Sequence, residues 1–312
     1  MNKIVLGEPL SRVDGKLKVT GGATYSGEYK LPGMTYGVLV PATITAGRIT
    51  SIDTKAAERA PGVLTVITPF NAPKVPGFQP DAQKPVRGLK LFNDNIIYFN
   101  GQPIALVIAE TFERATYAAR LIKATYQETP FETDFSKNFD KGVLPGGGRY
   151  KDYVRGEADA YKKAPVIVEQ EYMLPTEIHN PMELHVTIAA WDGDDVVNVY
   201  TKSQGVIGSQ RSVAAAFDLK QENVHIHSRF VGGAFGSSLR TWPHEIAAVQ
   251  AAKVVKRPVK LTLTREQMFT SVGYRPLTIQ KIGLGATPDG RLVGITHESH
   301  GQTAVYEEFT EN

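Results

Sequence analysis

The strongest pattern of apolar and polar positions lies between residues 103 and 126. Residues 104–109 form an unbroken apolar run, as expected of a strand covered on both faces. Thr111 offers a cap to a following helix, and Glu113 places a carboxylate in its first turn. Phe112, Ala115, Ala119 and Ile122 then recur at helical spacing. Residues 123–126 lead into another short strand. The spacing predicts a β-α-β unit with short links, and so an α/β first domain. Upstream, residues 34–41 and 62–67 read as strands and residues 53–60 as a short helix.

The periodicity fails between residues 136 and 160. Residues 138–156 include Pro145 and the triple glycine Gly146, Gly147 and Gly148. This composition suits an interdomain linker, with an ordinary long surface loop as the alternative. Beyond it, residues 166–172 alternate as a strand. Residues 186–191 and 196–201 flank Asp192-Gly193-Asp194-Asp195, which predicts a β-hairpin. Residues 205–219 read as a helix with Val206, Val213, Ala216 and Phe217 on its buried face. Residues 224–230 read as a strand, and residues 243–255 as an Ala-rich helix with Pro243 in its first turn. Strands are expected at 259–263, 277–283 and 292–299, the last after the turn Pro288-Asp289-Gly290. The predicted layout is an arm (1–18), a first domain (19–135), a linker (136–160) and a second domain (161–312).

Composition then narrows the function classes. A chain of 312 residues predicts about two domains. Its 42% hydrophobic and 21% charged residues are ordinary for a globular protein. A formal charge of +3 argues against a dedicated nucleic-acid binder, which shows a clustered basic face. The lack of cysteine excludes a disulfide scaffold, a thiolate nucleophile and Cys-ligated zinc or iron–sulfur centres. No run approaches the roughly 18 apolar residues of a membrane span. The first ten residues contain one cation, Lys3, and no signal-like apolar core or twin arginine. The expected compartment is the cytoplasm, or the periplasm by co-export with a partner.

Among candidate chemistries, Val231-Gly232-Gly233-Ala234-Phe235-Gly236-Ser237-Ser238 lies between a strand and a helix. Its glycines permit positive φ and close approach of backbone N–H groups to an anion. It matches neither a Walker A nor a dinucleotide loop. A structural tight turn and an anion-binding loop are equally compatible with the spacing. His225 and His227, two apart on a strand, could share a face and bind a metal, or be polar strand positions facing solvent. His179 and His185 flank Glu183 in a superficially ligand-like cluster, but Pro181 argues against a helix there.

The order of several segments resembles the large subunits of molybdenum hydroxylases, the family of xanthine dehydrogenases and aldehyde oxidoreductases. Ser11-Arg12-Val13-Asp14-Gly15, Thr20-Gly21-Gly22-Ala23 and Pro61-Gly62-Val63 are similar to its opening. Gly101-Gln102-Pro103 and the apolar run after it resemble the end of its α/β hammerhead domain. His179-Asn180-Pro181-Met182-Glu183, Trp191-Asp192-Gly193, Ser203-Gln204-Gly205, the glycine loop, Thr264-Arg265-Glu266-Gln267-Met268-Phe269 and Gly273-Tyr274-Arg275-Pro276 follow the first molybdopterin-binding domain. The resemblance is closest in kind to bacterial aldehyde oxidoreductase subunits.

It implies a mixed α/β (α+β) fold: a hammerhead domain, then an incomplete first molybdopterin-binding domain. It implies a molybdenum–molybdopterin cofactor, in the cytosine dinucleotide form, with iron–sulfur and FAD groups on partner subunits. The implied reaction is hydroxylation of an aldehyde, or of an N-heterocycle, with oxygen from water. Gln204 would approach the molybdenum oxo group. Gly232, Gly233, Phe235 and Gly236 would hold the metal end of the pterin through backbone amides, with no protein ligand to the metal. The catalytic glutamate of the family is expected beyond Asn312, so no catalytic residue is expected within the chain, and the 312 residues alone are expected to be inactive. The loop departs from the Gly-Gly-Gly-Phe-Gly-Gly-Lys or Gly-Ser-Lys forms of relatives. Leu239 stands where purine-oxidising relatives carry a glutamate, which favours aldehydes. The alternatives are a non-catalytic split or truncated assembly subunit, and an anion- or nucleotide-binding module using the glycine loop.

Overall fold

The computed structural model describes residues 7–83, 88–144, 152–157, 159–304 and 306. The first six residues of the predicted arm, and Pro145 with the triple glycine of the predicted linker, lie outside the described residues. The first half supplies α1 (Gly15–Val19), β1 (Thr35–Pro41), β2 (Gly47–Asp53), α2 (Lys55–Glu58), β3 (Val63–Ile67), β4 (Ile96–Ile97), β5 (Pro103–Ala109), α3 (Phe112–Ala119) and β6 (Lys123–Glu128). The second supplies β7 (Val166–Leu174), β8 (Val186–Asp192), β9 (Val196–Thr201), α4 (Val206–Phe217), β10 (Val224–His227), α5 (Pro243–Val255), β11 (Val259–Thr262), α6 (Arg265–Ser271), β12 (Thr278–Ala286) and β13 (Leu292–Gly301). The fold is mixed α/β.

Every residue of β5 is buried, as its apolar run requires. It lies between β1 and β3, antiparallel to both. α3 starts as predicted, with Thr111 Oγ1 accepting from the Arg114 N–H at 3.3 Å. Its buried stripe is Ala115 and Ala118, while Phe112 is exposed. The expected β-α-β unit takes a different form. β6 pairs with β2 in a small separate sheet, β4-β2-β6, because both edges of β5 are already occupied by antiparallel partners.

The main sheet runs β10-β9-β8-β11-β1-β5-β3. β11 pairs antiparallel with β8 and parallel with β1. The sheet therefore takes strands from both sides of residues 136–160, so the two predicted domains share one sheet. α5 packs on this sheet and is buried continuously from His244 to Ala252. Its alanines allow that close approach, and its buried polar side chains Glu245 and Gln250 are hydrogen-bonded.

β7, β12 and β13 form a third, antiparallel sheet. Every residue of β7 is exposed. The alternation seen in its sequence therefore marks a strand without a covered face among the described residues. Among these residues, no helix is long and apolar enough to cross a membrane.

Candidate cofactor-binding site

Strand directions bring four chain segments to one end of the main sheet. β8 starts where its antiparallel neighbours β9 and β11 end, with Thr187 opposite Thr201 and Val186 opposite Thr262. β10 runs parallel to β9 and ends beside it, with His227 opposite Tyr200. Residues 179–185, 202–204, 228–239 and 264–265 therefore leave the sheet together.

The glycine loop is pinned from within, carbonyl by carbonyl. Gly232 O accepts from the Glu183 N–H at 3.1 Å, and the Gly232 N–H donates to Glu183 Oε2 at 2.6 Å. Gly233 O accepts from Lys202 Nζ at 3.2 Å. Ala234 O accepts from the Ser237 N–H at 3.0 Å and the Ser237 hydroxyl at 2.8 Å. In a trans peptide the C=O and the following N–H point in opposite directions. Holding these three carbonyls therefore turns the N–H groups of Gly233, Ala234 and Phe235 the other way. Among the described residues those three N–H groups have no protein acceptor. Gly233, Phe235 and Gly236 have φ of +91°, +56° and +101°. A bulky residue such as phenylalanine in this region is strained, a condition concentrated at functional sites. The Phe235 side chain is exposed.

Gln204 meets the far end of this loop. Its N–H donates to Ser238 O at 2.9 Å, and its Oε1 accepts from the Ser238 N–H at 3.2 Å. Only the amide oxygen can accept, so the carboxamide orientation is set and its NH2 remains to donate elsewhere. Gln204 and Leu239 are exposed. Of the residues singled out from sequence, Gln204 is thus bonded at Ser238 to the segment that carries Gly232, Gly233, Phe235 and Gly236.

The residues beneath them stood out in the sequence by type, but their role of bracing the loop did not. His185 Nε2 lies 3.1 Å from Ser237 Oγ. Arg265 donates to Asn180 Oδ1 and Pro181 O, each at 2.7 Å. The ligand-like segment 179–185 is thus a brace for the loop. His227 stacks on Tyr200 and contacts Asn198 Oδ1 at 3.0 Å. Among the described residues, no three metal-ligating side chains gather.

Burial sets the charges here. It pushes the Lys202 ammonium down to about 8, opposed by nearby Glu183, and the Glu245 carboxyl up to about 7. It pushes His185 down to about 2 and His244 to about 3. Both histidines have ordinary values of 6.5. The unfolded chain therefore takes up their protons as the pH falls below about 6.5, while the folded chain does not until near pH 3 at His244 and about 2 at His185. Glu245 acts in the opposite sense between pH 7 and 4.5, because the folded state takes up its proton first. Below pH 4.5 that opposition ends. Each histidine then steepens the loss of stability by about 1.4 kcal/mol per pH unit. His244→Leu is expected to remove one such contribution between pH 4.5 and 3 in urea titrations. Parallel curves for variant and parent would contradict this origin.

Two family models match the chain. Residues 145–312 match the model of the molybdopterin cofactor-binding domain. Residues 20–130 match that of the aldehyde oxidase and xanthine dehydrogenase a/b hammerhead domain. The aldehyde oxidoreductase molybdenum-binding subunit PaoC of Escherichia coli is 35% identical over 297 residues, covering 95% of this chain and 40% of the relative. A putative xanthine dehydrogenase molybdenum-binding subunit, XdhA, of the same organism is 27% identical over 95% of this chain and 41% of its own length. Quinoline 2-oxidoreductase from Pseudomonas putida superposes with a TM-score of 0.80 at 22% identity, covering 96% of this chain and 40% of that one. Aldehyde oxidoreductase from Desulfovibrio gigas gives 0.74 at 25%, covering 90% and 33%. The chain thus spans about 40% of the length of these curated relatives. On the match of more than half its residues to the cofactor-binding domain, preceded by the hammerhead domain, the chain belongs to the molybdenum hydroxylase family of aldehyde oxidases and xanthine dehydrogenases.

Proposed function

We propose that Gln204 and the 232–236 loop hold the metal end of a molybdenum–molybdopterin cofactor, in a subunit that hydroxylates aldehydes or, second, N-heterocycles. The observation that carries this reading is the inward pinning of three successive loop carbonyls, which presents the N–H groups of Gly233, Ala234 and Phe235 outward. Successive free N–H groups of this kind suit an anionic group, and the Gln204 NH2 suits an oxo acceptor. When bound, the cofactor supplies the two-electron redox chemistry at the substrate carbon.

The chain's own residues orient and neutralise. The loop N–H groups offset negative charge, and the Gln204 amide, fixed by Ser238, donates one directed hydrogen bond. Leu239 presents an exposed apolar side chain next to Gln204, which suits an aldehyde better than a purine. Glu183 and Glu245 are engaged with Gly232 N–H and with Trp242 N–H and Thr201, so neither is assigned a proton-abstracting role. That role is placed in the rest of the subunit.

Relatives named as molybdenum-binding subunits support separate partner subunits; iron–sulfur groups, for which these 312 residues hold no cysteine, and FAD are placed there. The cytosine dinucleotide form of the pterin is the one implied by the likeness to bacterial subunits. Alone, the 312 residues are proposed to hold the cofactor weakly and to be inactive. Phe235 is 74% exposed, and a high-affinity site encloses most of its ligand.

The test is Gln204→Ala in the full subunit with its partners. Aldehyde-dependent dye reduction is expected to fall about a hundredfold, the usual effect of deleting one directed donor, with molybdenum content retained. Undiminished turnover would remove Gln204 from the site.

A further inference from the structure

Lys202 is 2% exposed, although lysine is almost never fully buried without a partner. It follows the last residue of β9 and precedes Gln204 by two positions. No carboxylate takes its charge by direct ion pairing among the described residues. Its ammonium donates instead to two backbone carbonyls, Glu183 O at 2.8 Å and Gly233 O at 3.2 Å. Those carbonyls belong to the two segments that meet at the glycine loop, and Glu183 is itself bonded twice to Gly232. One buried cation therefore ties three chain segments at a single point.

The peptide between Gly233 and Ala234 is the one that most needs such a tie. Gly233 has φ of +91°, and glycine rotates between backbone regions with little steric penalty. Flipping this peptide would turn the Ala234 N–H inward and put a carbonyl oxygen on the outer face. A carbonyl there would repel an anion where an N–H attracts it. On either side, Gly232 O is held by a backbone N–H and Ala234 O by Ser237. At Gly233 the holder is a side chain, so it can be deleted without changing the loop sequence.

We infer that Lys202 is a positioning residue for the cofactor loop: its ammonium fixes the Gly233–Ala234 peptide with the N–H outward and aligns the loop with Gln204. This rests on the proposed cofactor site but extends to a residue that touches no cofactor. A charged donor is also stronger than a neutral one, and its positive charge lies under the surface offered to the anion. Burial lowers the ammonium to about 8, which leaves it mostly protonated at neutral pH.

The test uses the full-length subunit with Lys202→Met, which keeps the unbranched apolar stem and deletes the terminal donor, and Lys202→Arg, which restores donors and charge. In cofactor-free protein, hydrogen exchange of peptides covering 230–240 is expected to speed up by at least about tenfold in Lys202→Met, with β8 and β9 within about twofold of the parent. Lys202→Arg is expected to recover most of the protection. In a host that makes the cofactor, the molybdenum-to-protein ratio is expected to fall by at least about fivefold in Lys202→Met and to recover in Lys202→Arg. If Lys202→Met does not fold, Lys202→Gln, which keeps one donor, is measured the same way. Unchanged loop exchange, or equal loosening of the loop and both strands, would overturn the role. The two readings fail separately. A parent protein without molybdenum sinks the cofactor site, whereas a loaded parent and an equally loaded, equally protected Lys202→Met sinks only the role of Lys202.

Discussion

Gly236→Val is expected to lose molybdenum, while the equally strained Gly290→Val keeps it. Gly236 has φ of +101° and Gly290 +87°, a region that β-branched residues avoid at a cost of about 1–3 kcal/mol. A Cβ at Gly236 would meet His179 Nε2 at 3.6 Å, an ordinary contact, and one at Gly290 would meet nothing. Backbone strain is therefore the main penalty at both positions, and both variants should lose similar stability. At Gly290 the strain relaxes within the turn between β12 and β13. At Gly236 it relaxes through the Phe235–Gly236 peptide and shifts the adjoining segment that carries the outward N–H groups. A misplacement that weakens cofactor binding by about 1.4 kcal/mol reduces affinity tenfold, and two displaced N–H groups exceed that. The measurement is molybdenum per subunit, with thermal unfolding as the control. Equal molybdenum in both variants would show that the loop backbone does not hold the cofactor.

Leu261→Ala is expected to destabilise the whole chain by about 3–5 kcal/mol, the range for an enclosed leucine. Leu261 is fully buried in β11, the strand that joins the two halves of the main sheet. A Cβ placed on Gly37 of β1 would meet Leu106 at 3.1 Å and Leu261 at 3.6 Å. Leucines from both halves therefore pack over the same glycine. The loss should appear as one transition, reported alike by Trp191 and Trp242 fluorescence and by hydrogen exchange in β5. A cost under about 1 kcal/mol, or β5 remaining protected after the tryptophan signal has changed, would show that the halves fold independently.

Much of this fold was readable from local pattern. The hairpin of β8 and β9, the enclosed strand β5 and the Ala-rich α5 each carry their period and their caps within one segment. Partner choice was not readable. β11 reaches β1 across more than 200 residues through three paired positions, Thr35 with Val259, Tyr36 with Lys260 and Gly37 with Leu261. Nothing in either strand's own pattern names the other. The same limit made residues 103–126 look like a β-α-β unit, because strand periodicity does not say which sheet a strand joins. At the site, spacing alone allowed the 231–238 segment to be either a tight turn or an anion loop, and family resemblance raised Gln204 beside it. Glu183 and His185 looked like possible metal ligands because residue type reveals chemistry but not direction. In the fold they face the loop and hold it. Lys202 gave no signal, since a lysine after a strand ordinarily faces water.

Anomalous diffraction at the molybdenum edge, from crystals of the cofactor-loaded full subunit, tests the site most directly. The expected result is one strong peak on the outer face of the glycine loop, with a cofactor oxygen about 3 Å from the Gln204 side-chain nitrogen and the Gly233, Ala234 and Phe235 N–H groups facing the cofactor. A molybdenum peak away from Gln204, with the 232–236 loop facing only solvent or protein, would contradict the site.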